Sequence, residues 1–170
     1  MTVKHDGIIV HCAATQPQWM EDNSAVDQMK EIDKWHRDRG FRMIGYHYYI
    51  SRQGDVVAGR SLGTMGAHAK GHNQTIGICL AGGFGSDADD LATDHYTAVQ
   101  LAAAYDLIRK LQDQYQISMI RSSAITACRA KPVLGSEYRS GWLACHCPKQ
   151  LKRNQSARNQ PNQRRSKHPP

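Results

Sequence analysis

Long apolar runs are missing from this chain of 170 residues. No stretch approaches the roughly 18 consecutive apolar residues that a membrane-spanning helix requires. Residues 1–6 also lack the apolar segment of a secretory signal peptide. The sequence therefore predicts a protein that is made in the cytosol and has no membrane span.

The number of cysteines is odd. The five cysteines are Cys12, Cys79, Cys128, Cys145 and Cys147. An odd number argues against a closed disulfide framework and favours reduced thiols. In a reducing compartment, the cluster near the carboxyl terminus is more typical of metal ligands than of disulfide partners.

Acidic residues are absent from residue 149 onward. The basic residues of this segment are Lys149, Lys152, Arg153, Arg158, Arg164, Arg165 and Lys167. They account for the whole net charge of +7, so residues 1–148 are formally neutral. The segment holds almost nothing apolar, and burial cannot offset the entropy of ordering it. We predict one domain over residues 1–148 and a disordered basic tail over residues 149–170.

The basic tail is suited to contact with a polyanion, such as a wall polymer, an anionic lipid or a nucleic acid. A solvated tail without a partner is the alternative, and a read-frame error near the 3′ end would give a similar segment. Binding of nucleic acid as the main function is disfavoured, because no aromatic residues are interleaved with the basic ones and the domain carries no net charge.

Hydrophobic periodicity predicts strands at about residues 7–11, 43–51, 55–58 and 75–81. It predicts one helix from Ser24, as its cap, to Arg39, with Gly40 as the stop. A second helix is predicted from Asp94 to Tyr115. Its inner stripe should comprise Leu101, Ala104, Ile108, Leu111 and Tyr115. Alternating helices and strands indicate an α/β fold, with a mixed central β-sheet covered by helices in a single domain.

His11 closes the first apolar strand and is followed at once by a loop that starts at Cys12. The strand would fix the direction of the imidazole, and the loop would leave the other side of a metal open to water and substrate. A histidine in this position is more often a hydrogen-bonded core residue. The rest of the chain therefore decides its role.

Four further segments follow in a fixed order at close spacing. They read Gly45-Tyr46-His47-Tyr48-Tyr49-Ile50, Gly54-Asp55-Val56-Val57-Ala58-Gly59-Arg60, Gly66-Ala67-His68-Ala69-Lys70-Gly71-His72-Asn73 and Thr75-Ile76-Gly77-Ile78-Cys79-Leu80. With His11, this series resembles the zinc-dependent N-acetylmuramoyl-L-alanine amidases, the phage lysozyme-type and peptidoglycan-recognition family that cuts bacterial cell wall. The resemblance covers roughly residues 5–148 and is dense to about residue 115.

The resemblance implies endolysin-like hydrolysis of the amide bond between N-acetylmuramic acid and L-alanine in peptidoglycan, with Zn²⁺ as cofactor. It implies that the protein acts on the cell wall after its release. An open zinc site polarises the carbonyl and lowers the pKa of bound water to about 7. His11 matches the family's strand-terminal histidine ligand.

The other two metal ligands are expected after residue 120. Cys128 stands where the family has a histidine, and Cys145 aligns with the family's cysteine. A set of one histidine and two cysteines has precedent in catalytic zinc sites. His146 and Cys147 are alternates, and Cys145 is preferred over Cys147 because Ala144 precedes it as in the family pattern.

Tyr46 matches the family's active-site tyrosine, whose phenol can donate a hydrogen bond to a developing oxyanion. Strand alternation would place Tyr46 and Tyr48 on the face opposite Tyr49.

Three residues of the matching segments, His47, His68 and Lys70, are candidates for substrate binding. His68 lies in a glycine-bounded loop that is well placed to meet substrate, whereas His47 has a structural role as its alternative. A non-catalytic peptidoglycan-binding module with a degenerate metal site is the alternative function, and the cysteine at position 128 is the feature that favours it.

Overall fold

The computed structural model describes residues 3–86 and 90–122. Its strands are β1 (Ile8–Cys12), β2 (Tyr48–Ile50), β3 (Val56–Ala58), β4 (Ile76–Leu80) and β5 (Ile120–Ser122). Its helices are α1 (Ala25–Asp38), α2 (Ala92–His95) and α3 (Ala98–Tyr115). The mixed sheet with its helices confirms the predicted α/β class. The predicted domain boundary and basic tail lie outside the described residues.

The five strands form one sheet in the order β3-β2-β4-β1-β5. Strands β2, β4, β1 and β5 are parallel, and β3 pairs antiparallel with β2. His11 pairs with Cys79, and Cys79 pairs with Tyr49. Paired residues of parallel strands project to the same face, so these three side chains share one face of the sheet.

Each face of the sheet has its own core. The strand residues of the first core are Ile8, Val10, Ile50, Ile76, Ile78 and Leu80, and Ala104 and Leu111 of α3 pack against them. The second core joins Ile32 of α1 to Tyr49 and Cys79. The sheet therefore lies between α1 and α3, and His11 is on the α1 side.

Helix α1 begins and ends as the sequence predicts. Ser24 is its N-cap, and the Ser24 hydroxyl accepts a hydrogen bond from the Asp27 N–H at 3.2 Å. Gly40 follows the last turn with φ of +87°, a conformation that glycine adopts without steric cost. The buried stripe of the helix ends in its last turn at His36, which brings an imidazole toward the sheet.

The predicted cap of the second long helix is wrong. Asp94 lies inside the short helix α2, where its carboxylate accepts the Leu91 N–H at 2.8 Å. The buried Tyr96 is extended and interrupts the helical path. Helix α3 starts afterwards, with the Thr97 hydroxyl accepting the Gln100 N–H at 3.2 Å. Of the predicted inner stripe, Ala104 and Leu111 nevertheless belong to the first core, and the other three residues pack against it.

The predicted strand over residues 43–51 is reduced to Tyr48–Ile50. Tyr46 precedes this strand, so the expected alternation does not apply to it. Tyr46 packs with Tyr49 in the second core, and Tyr48 packs in the first. The expectation that Tyr46 and Tyr49 lie on opposite faces is therefore wrong. Strand β5, which the sequence did not reveal, pairs with residues 8–10 of β1.

Among the described residues, no helix combines the length and the apolar character needed to cross a membrane.

Candidate active site

His11 lies near the carboxyl end of β1 and is only 4% exposed. Its Nε2 atom shares a hydrogen bond of 2.9 Å with Nδ1 of His68. The two rings meet edge to face, with centroids 4.9 Å apart. The strand-terminal histidine predicted as a ligand is thus held by a second histidine that is 57 residues away in the sequence.

His68 comes from the loop between β3 and β4. Its Nε2 donates a hydrogen bond of 3.0 Å to the Thr75 carbonyl, and its backbone N–H donates to Asn73 Oδ1 at 2.9 Å. Its ring lies against Gly77 of β4, where a Cβ atom would come within 2.5 Å of the His68 Cδ2. The glycine leaves the space in which the imidazole reaches His11.

Both site histidines are held in the neutral form. Burial, with a smaller contribution from neighbouring His68, lowers the pKa of His11 to about 3. Burial likewise lowers the pKa of His68 to about 4. At neutral pH each ring therefore has one unprotonated nitrogen, which is the form of histidine that binds metal ions.

Tyr46 lies beside this pair. Its ring centroid is 5.2 Å from that of His11 and 6.3 Å from that of His68. The side chain is half-buried and packs against the second core. This position suits a phenol that is to meet a substrate carbonyl next to His11.

His36 extends the cluster on the α1 side, and no functional motif in the sequence includes it. Its ring packs against Tyr46 at 5.3 Å and stacks on Phe41 at the same distance. Its Nδ1 accepts the Gly45 N–H at 2.9 Å. Its position on the buried stripe of α1 is the sequence feature that could have identified it, because that stripe faces the segment that carries Tyr46.

His47 is fully buried, and both of its ring nitrogens are engaged. Nδ1 accepts the Gly77 N–H at 3.0 Å, and Nε2 donates to the Thr64 carbonyl at 3.1 Å. This geometry favours the structural alternative for His47 over substrate binding. Lys70 is exposed in the same loop as His68, and its contact with substrate stays a prediction.

The remaining predicted ligands, Cys128, Cys145, His146 and Cys147, lie outside the described residues. Within residues 3–86 and 90–122, no group of three histidine, cysteine or acidic side chains is placed to hold a metal ion. Of the predicted ligands, His11 lies within the described residues, and its buried, neutral imidazole beside the half-buried Tyr46 fits a zinc ion.

The chain is similar to known proteins along most of its length. Residues 1–161 match the family model Amidase_2, described as N-acetylmuramoyl-L-alanine amidase. The endolysin of Escherichia phage T7 is 37% identical over 128 residues, which cover 75% of this chain and 80% of that protein. The endolysin of Klebsiella phage KP32 is 35% identical over 127 residues, with 74% and 78% covered.

Solved structures agree with the sequence relatives. The N-acetylmuramoyl-L-alanine amidase LysC from Clostridium intestinale superposes with a TM-score of 0.56 at 26% identity, over 70% of each chain. Bumblebee PGRP-SA gives a TM-score of 0.56 at 25% identity, over 72% of this chain and 71% of its own. The mixed sheet, the strand-terminal histidine with its neighbouring tyrosine and these matches establish that the chain belongs to the N-acetylmuramoyl-L-alanine amidase family and is an amidase.

Proposed function

We propose that this amidase is a zinc-dependent, endolysin-like enzyme that hydrolyses the bond between N-acetylmuramic acid and L-alanine in bacterial peptidoglycan. The observation that carries the proposal is the buried, neutral His11 at the end of β1, bonded to His68 and flanked by Tyr46. Relatives named endolysin and peptidoglycan-recognition protein support the cell wall as its substrate.

His11 would hold the zinc ion together with Cys128 and Cys145, and His146 and Cys147 are the alternates. A bound zinc ion would supply a polarised carbonyl and a water whose pKa is lowered to about 7. The chain's own part is to keep His11 unprotonated and fixed in direction. Burial achieves the first, and the hydrogen bond with His68 contributes to the second.

Tyr46 would act on the carbonyl oxygen of the scissile amide. As negative charge develops there, a phenol can donate a hydrogen bond that is stronger in the transition state than in the ground state. The packing of Tyr46 against His11 and His36 restrains the ring before substrate arrives. Such restraint reduces the reorganisation that the reaction requires.

Wall binding would involve two further parts of the chain. Lys70 is exposed on the loop that carries His68, so its ammonium can meet anionic groups of the peptide stem. The basic segment over residues 149–170 would add attraction to anionic wall polymers.

Metal analysis combined with hydrolysis tests the proposal. We expect about one zinc per chain, loss of L-alanine amino-terminus release from purified walls on chelation, and recovery when zinc is restored. His11→Ala should lose both zinc and hydrolysis while retaining the far-ultraviolet circular dichroism of the parent. Full hydrolysis by His11→Ala would contradict the zinc assignment. Binding to walls without zinc or hydrolysis would instead identify the non-catalytic module that Cys128 favours.

A further inference from the structure

We infer that His68 is a positioning residue that fixes the tautomer of His11 and thereby makes Nδ1 of His11 the nitrogen offered to a metal. The inference rests on the proposed function for the identity of the metal. The tautomer itself is a property of the metal-free chain.

The positions of the ring hydrogens on His68 and His11 follow from the Thr75 carbonyl, because a carbonyl can only accept a hydrogen bond. His68 Nε2 lies 3.0 Å from that oxygen and must carry the hydrogen. A neutral imidazole has one N–H, so Nδ1 of His68 is an acceptor. His11 Nε2 lies 2.9 Å from this acceptor and must donate to it. The hydrogen of His11 is therefore on Nε2, and its Nδ1 is unprotonated.

Any other placement of the ring hydrogens would leave two acceptors or two donors facing each other. If His68 carried its hydrogen on Nδ1, its Nε2 lone pair would point at the Thr75 carbonyl. An unmatched polar pair of this kind costs about 1 to 3 kcal/mol where it is buried, and this one is partly buried.

The surroundings of His68 hold its ring in place. The ring fits over Gly77, and the backbone on its amino side is tied to Asn73. The ring of His47 contacts it edge to face at 5.9 Å. His68 thus links the fixed backbone of Thr75 to the imidazole of His11. Such outer partners typically change metal affinity or activity by about 10- to 100-fold when they are lost.

Two substitutions at position 68 distinguish the hydrogen bonds of His68 from the space that its ring fills. His68→Phe keeps a ring but removes the acceptor for His11 and the donor to Thr75. His68→Gln retains one donor and one acceptor. His5→Phe is the matched control. His5 is also buried, its ring nitrogens bond the Gln74 and Leu62 carbonyls, and its ring contacts those of His47 and Tyr115.

The first measurement is ¹⁵N nuclear magnetic resonance of the imidazole nitrogens in the metal-free proteins. We expect the Nε2–H tautomer of His11 in the parent, in His68→Gln and in His5→Phe, and a mixture of tautomers in His68→Phe. The second measurement is zinc affinity, which should fall by about 10- to 100-fold in His68→Phe and recover in His68→Gln.

The Nδ1–H tautomer of His11 in the metal-free parent would overturn the inference, as would a single Nε2–H tautomer in His68→Phe. These results do not depend on activity. A parent with the Nε2–H tautomer that binds no zinc would support the positioning role of His68 while removing the proposed zinc dependence.

Discussion

Gly77 of β4 lies directly beneath the imidazole of His68, at a distance that leaves no room for a methyl group. The Gly77 N–H meanwhile donates to His47, so the strand residue that lacks a side chain is tied to a second histidine. A backbone position thereby defines where two imidazoles lie, and one of them contacts His11.

Replacement of this glycine should therefore impair the site without removing any functional group. In Gly77→Ala, the added methyl group would displace the His68 ring and break its hydrogen bond with His11. We expect zinc affinity and hydrolysis to fall by about 10- to 100-fold. Gly63→Ala is the control, because a Cβ there meets only the Ser61 hydroxyl at 3.5 Å. Equal zinc affinities for both variants and the parent would show that His68 tolerates the displacement.

Removal of the Tyr46 hydroxyl should slow the reaction and leave zinc in place. Phenylalanine preserves the ring contacts with His11 and His36 but cannot donate to an oxyanion. Loss of one such donor typically lowers kcat by about 100- to 1,000-fold. Steady-state rates on soluble muropeptides, together with metal content, check the expectation for Tyr46→Phe.

Tyr49→Phe provides the comparison for Tyr46→Phe. The Tyr49 hydroxyl donates to Gln28 Oε1 at 2.7 Å inside the second core. Its loss should lower the free energy of unfolding by about 1 kcal/mol and leave kcat unchanged. A normal kcat for Tyr46→Phe would exclude a catalytic role for the phenol.

The metal-free protein should lose stability as the pH falls from 6.5 to about 4. Burial lowers the pKa of His36 and of His47 from 6.5 to about 4. In this window the unfolded chain binds protons that the folded chain excludes, so acidification favours unfolding. The two depressions together correspond to a loss of several kcal/mol, at about 1.4 kcal/mol for each unit of pKa. Urea unfolding at several pH values measures how the free energy of unfolding changes with pH.

A variant of His36 isolates one part of this slope. His36→Gln keeps an acceptor for the Gly45 N–H and removes one titrating ring. Its stability should therefore depend less steeply on pH than that of the parent. Identical slopes would mean that His36 takes up its proton equally well in the folded and unfolded chains.

Truncation after Pro148 tests the proposed role of the basic tail. Hydrolysis of soluble muropeptides should be nearly unchanged, because the tail is proposed to act on whole walls. Binding to walls should weaken most at low salt, since the Debye length is about 30 Å at 0.01 M and about 8 Å at physiological ionic strength. Unfolding of the truncated chain would instead show that the boundary at residue 148 is misplaced.

Local signals account for the elements that the sequence predicted well. Ser24 and Gly40 frame α1, and the apolar run ending at His11 locates β1 to within a residue. The predicted start of the second long helix at Asp94 was wrong because aspartate can cap any helix. In the structure, the Asp94 carboxylate caps the short helix α2. A strand as short as β5 carries no pattern of its own, and it becomes evident only through its pairing with β1.

The partners of His11 could not be read from its neighbours in the sequence. The family resemblance selected His68 as a residue that meets substrate, but its hydrogen bond to His11 depends on the register of β1 against β4. That register is a tertiary property. The role of Gly77 could not be predicted for the same reason. A glycine is required there only because the His68 ring occupies the space of a side chain, and that contact is not evident from the sequence.

Truncated chains that lack β5 should be prone to aggregation. Strand β1 lies between β4 and β5, so its backbone is paired on both sides only after residues 120–122 have joined the sheet. A fragment produced by a premature stop or by proteolysis before residue 120 would leave β1 as a bare, strongly apolar sheet edge. Exposed edges of this kind recruit other strands. Such fragments should accumulate as insoluble aggregates.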